Sequence, residues 1–362
     1  MPGPAIAKGT ILAYRVYDAG EEIALDLAEK TLPKAKRVVL QGQLAEGLVI
    51  AVRPLEIELA ECELMVPGIV GPVHAKCSAR LFDFGAVSVL YEIAIEPGTT
   101  FAELTPICDA LYDSPVLDEH GAQHRAEMMN QLGSSLEKAH DWREAESYTV
   151  IFAEAIEGCT VEVLAKSETV AKLLLGEQSD KPLAASARDD VLKNAFSYLA
   201  DDLVVIDWNS ALVVEPSGSR IVPQVLELAT CQLLEFRYYD GLLDRELVRV
   251  YDDAAKAPRI LRSPFNRLTR GVLRRFMELT EFTERVDNAI KSVGDFYLAR
   301  VYLAAQKRFR VPDWRESVES KLRLVGRAYE LLKGEVEVSR NQLLELTVIV
   351  LILIELVQAL RH

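Results

Sequence analysis

The sequence has no CxxC pair: its five cysteines, Cys62, Cys77, Cys108, Cys159 and Cys231, stand far apart. That scatter excludes a zinc site of the usual spacing and a dense disulfide framework. It fits a reducing compartment, with cysteine used as a small apolar side chain. Aromatic residues make up only 7% of the chain, so aliphatic side chains must supply most of the core. No stretch reads as GxSxG, as a Walker phosphate loop or as HExxH, and no reaction is announced by a motif. The opening MPGPAIAKGT lacks an apolar run, so no secretory signal is expected. Positive charge is also short: 41 Lys+Arg face 55 Asp+Glu, a formal net charge of −14.

Half of the 362 residues are apolar, which excludes a disordered chain and suggests roughly two domains. The charge is unevenly spread. From Gly241 onward there are 22 Lys+Arg and 17 Asp+Glu, which leaves 19 basic and 38 acidic groups in the first 240 residues. An acidic head is a poor partner for a polyanion, so any contact with nucleic acid or anionic lipid belongs to the tail, with no specific DNA binding expected.

The head reads as α+β. TILAYRVY from Thr10, RVVL, GLVIAVRP, EIELAECEL from Glu56, AVSVLYEIAIEPG from Ala86 and Ser147 to Ile156 carry strand patterns. DDLVVIDW and ALVVE flank Asn209-Ser210 as a hairpin. Thr99 or Thr100, with Glu103, forms a capping box for a following helix, and Asp118 to His140 is helix-prone. The irregular interleaving of strands and helices excludes a Rossmann repeat. PSGSR from Pro216 marks a boundary, beyond which helices are expected over Val222 to Tyr239, Leu242 to Tyr251 and about Phe265 to Phe309, and again after Pro312. The expected domains are 1–216 (acidic α+β), 217–342 (helical, coiled coil) and 343–362 (a hydrophobic C-terminal helix).

The last helix has the clearest pattern. Val318, Leu322, Val325, Tyr329, Leu332, Val336, Ser339, Leu343, Leu346, Val350, Leu353, Val357 and Leu360 follow a 4-3 spacing without a slip, and Ser339 alone is not apolar. Such a repeat predicts a coiled coil. Its partner is the preceding helix, in an antiparallel hairpin across the RVPD turn, or another copy of the chain. From Leu343, LLELTVIVLILIELVQALRH is apolar on every side, so lipid or protein must cover it. Leu346, Val348, Val350, Leu353 and Val357 mark this membrane or interface face. Glu355, inside the apolar stretch, is costly in lipid. The expectation is a cytoplasmic homo-oligomer attached to the inner membrane by this helix, the alternative being burial between subunits.

Arg259, Arg262, Arg267, Arg270, Arg274 and Arg275, with Lys256, occur with no acidic residue between Ala254 and Met277. Unopposed cations at that density are candidates for phosphate contact, to RNA, a ribosome or lipid headgroups, or else they face the acidic head. His120, His124 and Glu127 share a helix face and are the one spacing that suits a divalent metal, the basis of an alternative reading as a soluble enzyme sited in the head. Asp83-Phe84-Gly85 lacks the other kinase elements and reads as a turn, while Asp207-Trp208-Asn209 at a hairpin tip is equally a polar site or a tight turn. Cys231 sits among apolar neighbours and reads as core. No catalytic residue and no cofactor is assigned.

The order of FDFGAVSVLYE, LELATCQLLEFRYYDGLLD, VPDWRES and RNQLLELTVIVLILIELV resembles the family typed by the "required for meiotic nuclear division" proteins, over roughly residues 80 to 360. The family's LDxPxxFW segment is represented only by Pro312, Asp313 and Trp314. The resemblance implies a non-enzymatic, often membrane-attached oligomer, some of whose eukaryotic members are mitochondrial and support translation. The function expected is that of a scaffold or tether.

Overall fold

A computed structural model of the chain describes residues 3–32, 34–38, 53–255 and 296–327, with the isolated positions 277, 345 and 348. The chain divides into two compact units, Met1–Tyr238 with Arg285–Pro312, and Tyr239–Glu284 with Asp313–His362.

The first unit is built on strands β1 (Ala5–Asp18), β2 (Glu22–Ile23), β3 (Lys36–Arg37), β4 (Leu55–Glu58), β5 (Cys62–Leu64), β6 (Val73–Leu81), β7 (Ala86–Ile95), β8 (Thr99–Thr100), β9 (Leu136–Glu137), β10 (Ala145–Glu157), β11 (Ala195–Phe196), β12 (Leu203–Ile206) and β13 (Ser210–Val214). Its helices are α1 (Leu25–Thr31), α2 (Phe101–Tyr112), α3 (Pro115–Leu132), α4 (Val161–Leu164), α5 (Glu168–Leu175), α6 (Ala185–Leu192), the start of α7 (Ile221–Ala255), and α8 (Phe296–Arg308). Among the described residues one sheet runs β11-β12-β13-β10-β1-β7-β6-β4-β3, with β5 joined to β6 and β8 to β1. The β10·β13 pair is parallel and the other ladders are antiparallel.

β1 lies at the centre, paired from Ala5↔Glu157 to Tyr17↔Ala145 on one side and from Gly9↔Ile95 to Asp18↔Ala86 on the other. Side chains alternate between the two faces of a strand. Ile11, Ala13 and Tyr17 therefore join Phe101, Leu104 and Leu117 in one core, while Leu12 and Tyr14 point to the opposite face. There α7 and α8 pack, as shown by Tyr302 donating its hydroxyl hydrogen to Gln232 Oε1 at 2.5 Å and by the Phe309 ring 4.9 Å from Tyr148.

α2 opens on the expected capping box: Thr100 N donates to Glu103 Oε2 at 2.8 Å and Glu103 N to Thr100 Oγ1 at 3.3 Å. Its C-terminal carbonyls have no intrahelical donor. The guanidinium of Arg15, fully buried, supplies one, donating to Leu111 O at 2.8 Å and Tyr112 O at 2.9 Å, while its Nε reaches Asp118 Oδ1 at 2.5 Å in the first turn of α3. Asp83-Phe84-Gly85 is the β6–β7 turn, and Gly85 has φ +94°. A Cβ there would lie 1.8 Å from Gly20 O, so only glycine fits. Gly121 sits inside α3 because a Cβ would lie 2.4 Å from the Tyr17 hydroxyl, which donates to Asp118 O at 3.0 Å.

Several expectations change in detail. EIELAECEL is split, with β4 and β5 flanking an irregular step over 59–61, and β6 runs unbroken against both. The two helices expected across Val222 to Tyr251 are one 35-residue helix, α7, which passes through Gly241. Helix α8 is the described end of the helix expected over 265–309; residues 309–310 form a turn, Arg310 has φ +58°, and helix resumes over 311–327. Pro312 lies in that first turn, where no backbone N–H is needed.

In the second unit, helix 311–327 is tied to the last part of α7: Ser317 Oγ donates to Asp240 Oδ1 at 2.7 Å, and Lys321 Nζ pairs with Asp240 at 2.8 Å and Asp244 at 2.7 Å. Val318, Leu322 and Val325, the first three positions of the 4-3 repeat, are buried. The chain thus has a mixed α/β N-terminal domain with a large sheet and helices in its C-terminal part. Residues 39–52, and most of 256–295 and of 328–362, lie outside the described residues, and with them the remainder of the predicted hairpin and of the hydrophobic C-terminal helix.

Candidate functional site

A cleft of about 1030 Å³ opens on the α7 face of the sheet. Its floor is Leu12 and Tyr14 of β1, Leu90 and Glu92 of β7, Arg80 of β6 and Glu56 of β4. Its rim is the 215–220 loop with the start of α7, the turn holding Tyr198, Leu199 and Asp202, and Lys36 to Val38. The alternation of β1 and β7 puts these residues here and their odd-numbered neighbours Ala13 and Tyr91 in the opposite core.

The cleft's charges are set in opposed pairs. Arg80, only 8% exposed, donates from Nε to Glu56 Oε2 at 2.7 Å and from Nη1 to Glu227 Oε2 at 2.5 Å. Glu227 comes from α7, so this pair joins helix to sheet, and its Oε1 is buried without a partner. Arg220 pairs with Glu92 at 3.2 Å and lies 4.8 Å above the Phe152 ring. Arg37 pairs with Asp26 at 2.5 Å and Glu29 at 3.0 Å. Asp202 accepts from Tyr198 N at 2.7 Å and Leu199 N at 2.8 Å, and Glu215 from Ser217 N at 3.1 Å. Burial, then the nearby Glu227, raises the Tyr14 hydroxyl far above its ordinary range. These charges of the lining are thus met by opposite charges or backbone donors of the chain itself.

Deeper under α7 lies a second polar group. Asp18 Oδ1 is 3.1 Å from His140 Nε2 and accepts from Gly20 N at 3.2 Å. Arg125 donates to Asp18 O at 2.9 Å and His140 O at 3.0 Å, and the His140 ring stacks on Tyr238 at 4.4 Å. Burial raises the Asp18 carboxyl against the opposing pull of His140, and burial followed by the charge of Asp18 raises Glu235 well above the carboxylate range. Asp18 Oδ2 and Glu235 Oε1 are buried without hydrogen-bond partners.

The histidines of the metal reading do not converge. His120 Nδ1 meets the Tyr91 hydroxyl at 3.0 Å, His124 Nδ1 meets Glu127 at 3.3 Å, and the two rings stand edge-on 4.5 Å apart. Among the described residues no group of three His, Cys, Asp or Glu is placed to hold a metal ion. Asp207 does more than make a turn: its buried carboxylate accepts from Arg308 Nε at 2.6 Å and anchors α8. Cys231 is buried in α7. Arg259, Arg262, Arg267, Arg270, Arg274 and Arg275, and Leu346, Val350, Leu353 and Val357, lie outside the described residues. Val348 is helical and 53% exposed in the single chain. Among the described residues no helix is long and apolar enough to cross a membrane.

Sequence reasoning missed the cleft. Its signal was present only as charged residues, Arg80 and Glu92, inside otherwise apolar strands.

Residues 8–220, more than half of the chain, match the family described as "Uncharacterized protein MJ0711, N-terminal domain". The chain belongs to that family. The matched stretch ends one residue before α7 begins and contains the sheet with most of the cleft's lining. A relative, uncharacterized protein MJ0711 of Methanocaldococcus jannaschii, is 22% identical over 237 residues, covering 65% of this chain and 72% of its own length. No solved structure matches. This membership overturns the resemblance to the "required for meiotic nuclear division" proteins. That resemblance rested on the order of strands, long helices and an apolar end, features that unrelated chains share because they follow from burial and not from a common site.

Proposed function

We propose that the chain is a non-enzymatic scaffold or tether whose helical tail joins copies of itself. The carrying observation is the 4-3 repeat. Its first three positions are buried, and the repeat runs on through ten more positions to Leu360, all of them apolar except Ser339. An apolar stripe of that length needs a partner along its whole course, and an end that is apolar on every side needs more than one helix to cover it. In this reading the coiled-coil tail completes its burial in a homo-oligomer, and its C-terminal helix attaches the cytoplasmic protein to the inner membrane. The cleft in the head then holds a polar group of a partner.

The unopposed arginines add the contact with an anionic assembly such as a ribosome or a lipid surface. Replacing Arg270, Arg274 and Arg275 with Gln weakens binding to RNA or to anionic vesicles. Because counterion release drives such contacts, the variant's log–log salt slope falls by about 2–3. Filter binding and vesicle sedimentation across a salt series measure this; binding that is unchanged, or that never depended on salt, contradicts it.

A further inference from the structure

Cys62 and Cys77 form the one close thiol pair among the described residues, their Sγ atoms 3.2 Å apart. The topology explains the approach. β5 pairs Cys62 with Ala75, two residues from Cys77, and Leu59 N donates to Cys77 O at 2.9 Å where β4 rejoins β6. Cys62 stands directly opposite Ala75, and Ala75 and Cys77 share a face of β6, so both thiols fall on the same side of the strand. Cys77 is 6% exposed, within the core that holds Tyr91 and Cys108, whereas Cys62 is partly exposed.

We propose that Cys62 and Cys77 are a thiol–disulfide exchange site that takes small disulfides and closes into a bond stapling β5 to β6. The Cys62 thiolate attacks one sulfur of a small disulfide RSSR, expelling RS⁻, which takes up the proton that Cys62 released. Cys77 then loses its proton, and its thiolate attacks the Cys62 sulfur of the mixed disulfide. The second RS⁻ leaves and is protonated in turn. One small disulfide is reduced to two thiols, and two protein thiols are oxidised to one disulfide. Burial raises both thiols, so exchange is slow at neutral pH and accelerates as pH rises. β5 is held to the sheet through β6, so the bond fixes an otherwise two-stranded edge.

The test uses the full chain, folded, with 2-hydroxyethyl disulfide at about pH 8.5, a value near the ordinary thiol range. The intact mass falls by about 2 Da for the two hydrogens lost. After unfolding, three of the five cysteines alkylate, and the tryptic fragment Cys77–Arg80 is recovered joined to the fragment ending at Lys76. Cys77→Ser retains the mixed disulfide at Cys62, and Cys62→Ser yields no such link. Five alkylated cysteines, a mixed disulfide that persists in the unaltered chain, a bond involving Cys108, or closure only in denaturant would each overturn the proposal.

Discussion

Replacing Arg15 with methionine lowers the stability of the chain by on the order of 3–5 kcal/mol, the range for removing one member of a buried charged network. The guanidinium is fully buried and serves two helix ends at once, the C-terminal carbonyls of α2 and Asp118 at the start of α3. Methionine fills much of the volume but leaves the Leu111 and Tyr112 carbonyls without a donor. Asp118→Asn costs less, on the order of 1 kcal/mol, because that carboxylate is half exposed and solvent screens the pair. Urea denaturation of the two variants separates the contributions. Equal, small shifts for both would show that the carbonyls do not depend on Arg15.

The second large effect concerns pH. Glu146, on β10, is largely buried, its side chain 11% exposed, and that burial pushes its carboxyl up to about 7 against the opposing pull of Arg237, with Glu144 adding a smaller upward push. A carboxyl raised in the folded state binds its proton more tightly folded than unfolded. Its stabilisation is fully present below the ordinary glutamate value near 4.5 and is lost as pH rises through about 7. The loss over that whole range is on the order of 3 kcal/mol. Asp18 and Glu235, both raised by burial, act with the same sign. His120, lowered by burial and then by His124, acts with the opposite sign. The comparison is therefore between the unaltered chain and Glu146→Gln. Between pH 5.5 and pH 8 the unaltered chain loses more stability than the variant, whose remaining pH dependence comes from the other groups. Parallel pH profiles for the two would remove Glu146 from the account.

The strands that positioned the site were legible where a run of β-branched and apolar residues said one thing only. β1, β7, β10 and the β12–β13 hairpin fall where TILAYRVY, AVSVLYEIAI, Ser147 to Ile156 and the Asn209-Ser210 turn put them. The capping box at Thr100 and Glu103 is a four-residue signal and was equally readable. β6, VHAKCSARL, went unread because His74, Lys76 and Arg80 interrupt it, although its buried positions alternate as a half-exposed strand's do. Gly241 read as a break, yet α7 passes through it, since one glycine costs a helix only about 1 kcal/mol and tertiary packing outweighs that. Arg15 and Arg80 were the harder cases. A charged residue in a strand reads as solvent-facing, and the partner that lets Arg80 be buried, Glu227, is 147 residues away on α7. The cleft is likewise assembled from β1, β4, β6, β7 and the 215–220 loop. No local window contains it. Cys62 and Cys77, fifteen residues apart, meet only because β5 folds back on β6.

Sedimentation of the full chain beside a chain ended after Asn341 tests the central claim, that the tail joins copies of this protein. In mild detergent the full chain sediments as an assembly of more than one copy. The shortened chain, which keeps the head and the start of the 4-3 repeat but loses Leu343 to Leu360, sediments as a smaller species and leaves the membrane fraction. A full-length chain that sediments as a folded monomer at every concentration, with or without detergent, would contradict the account.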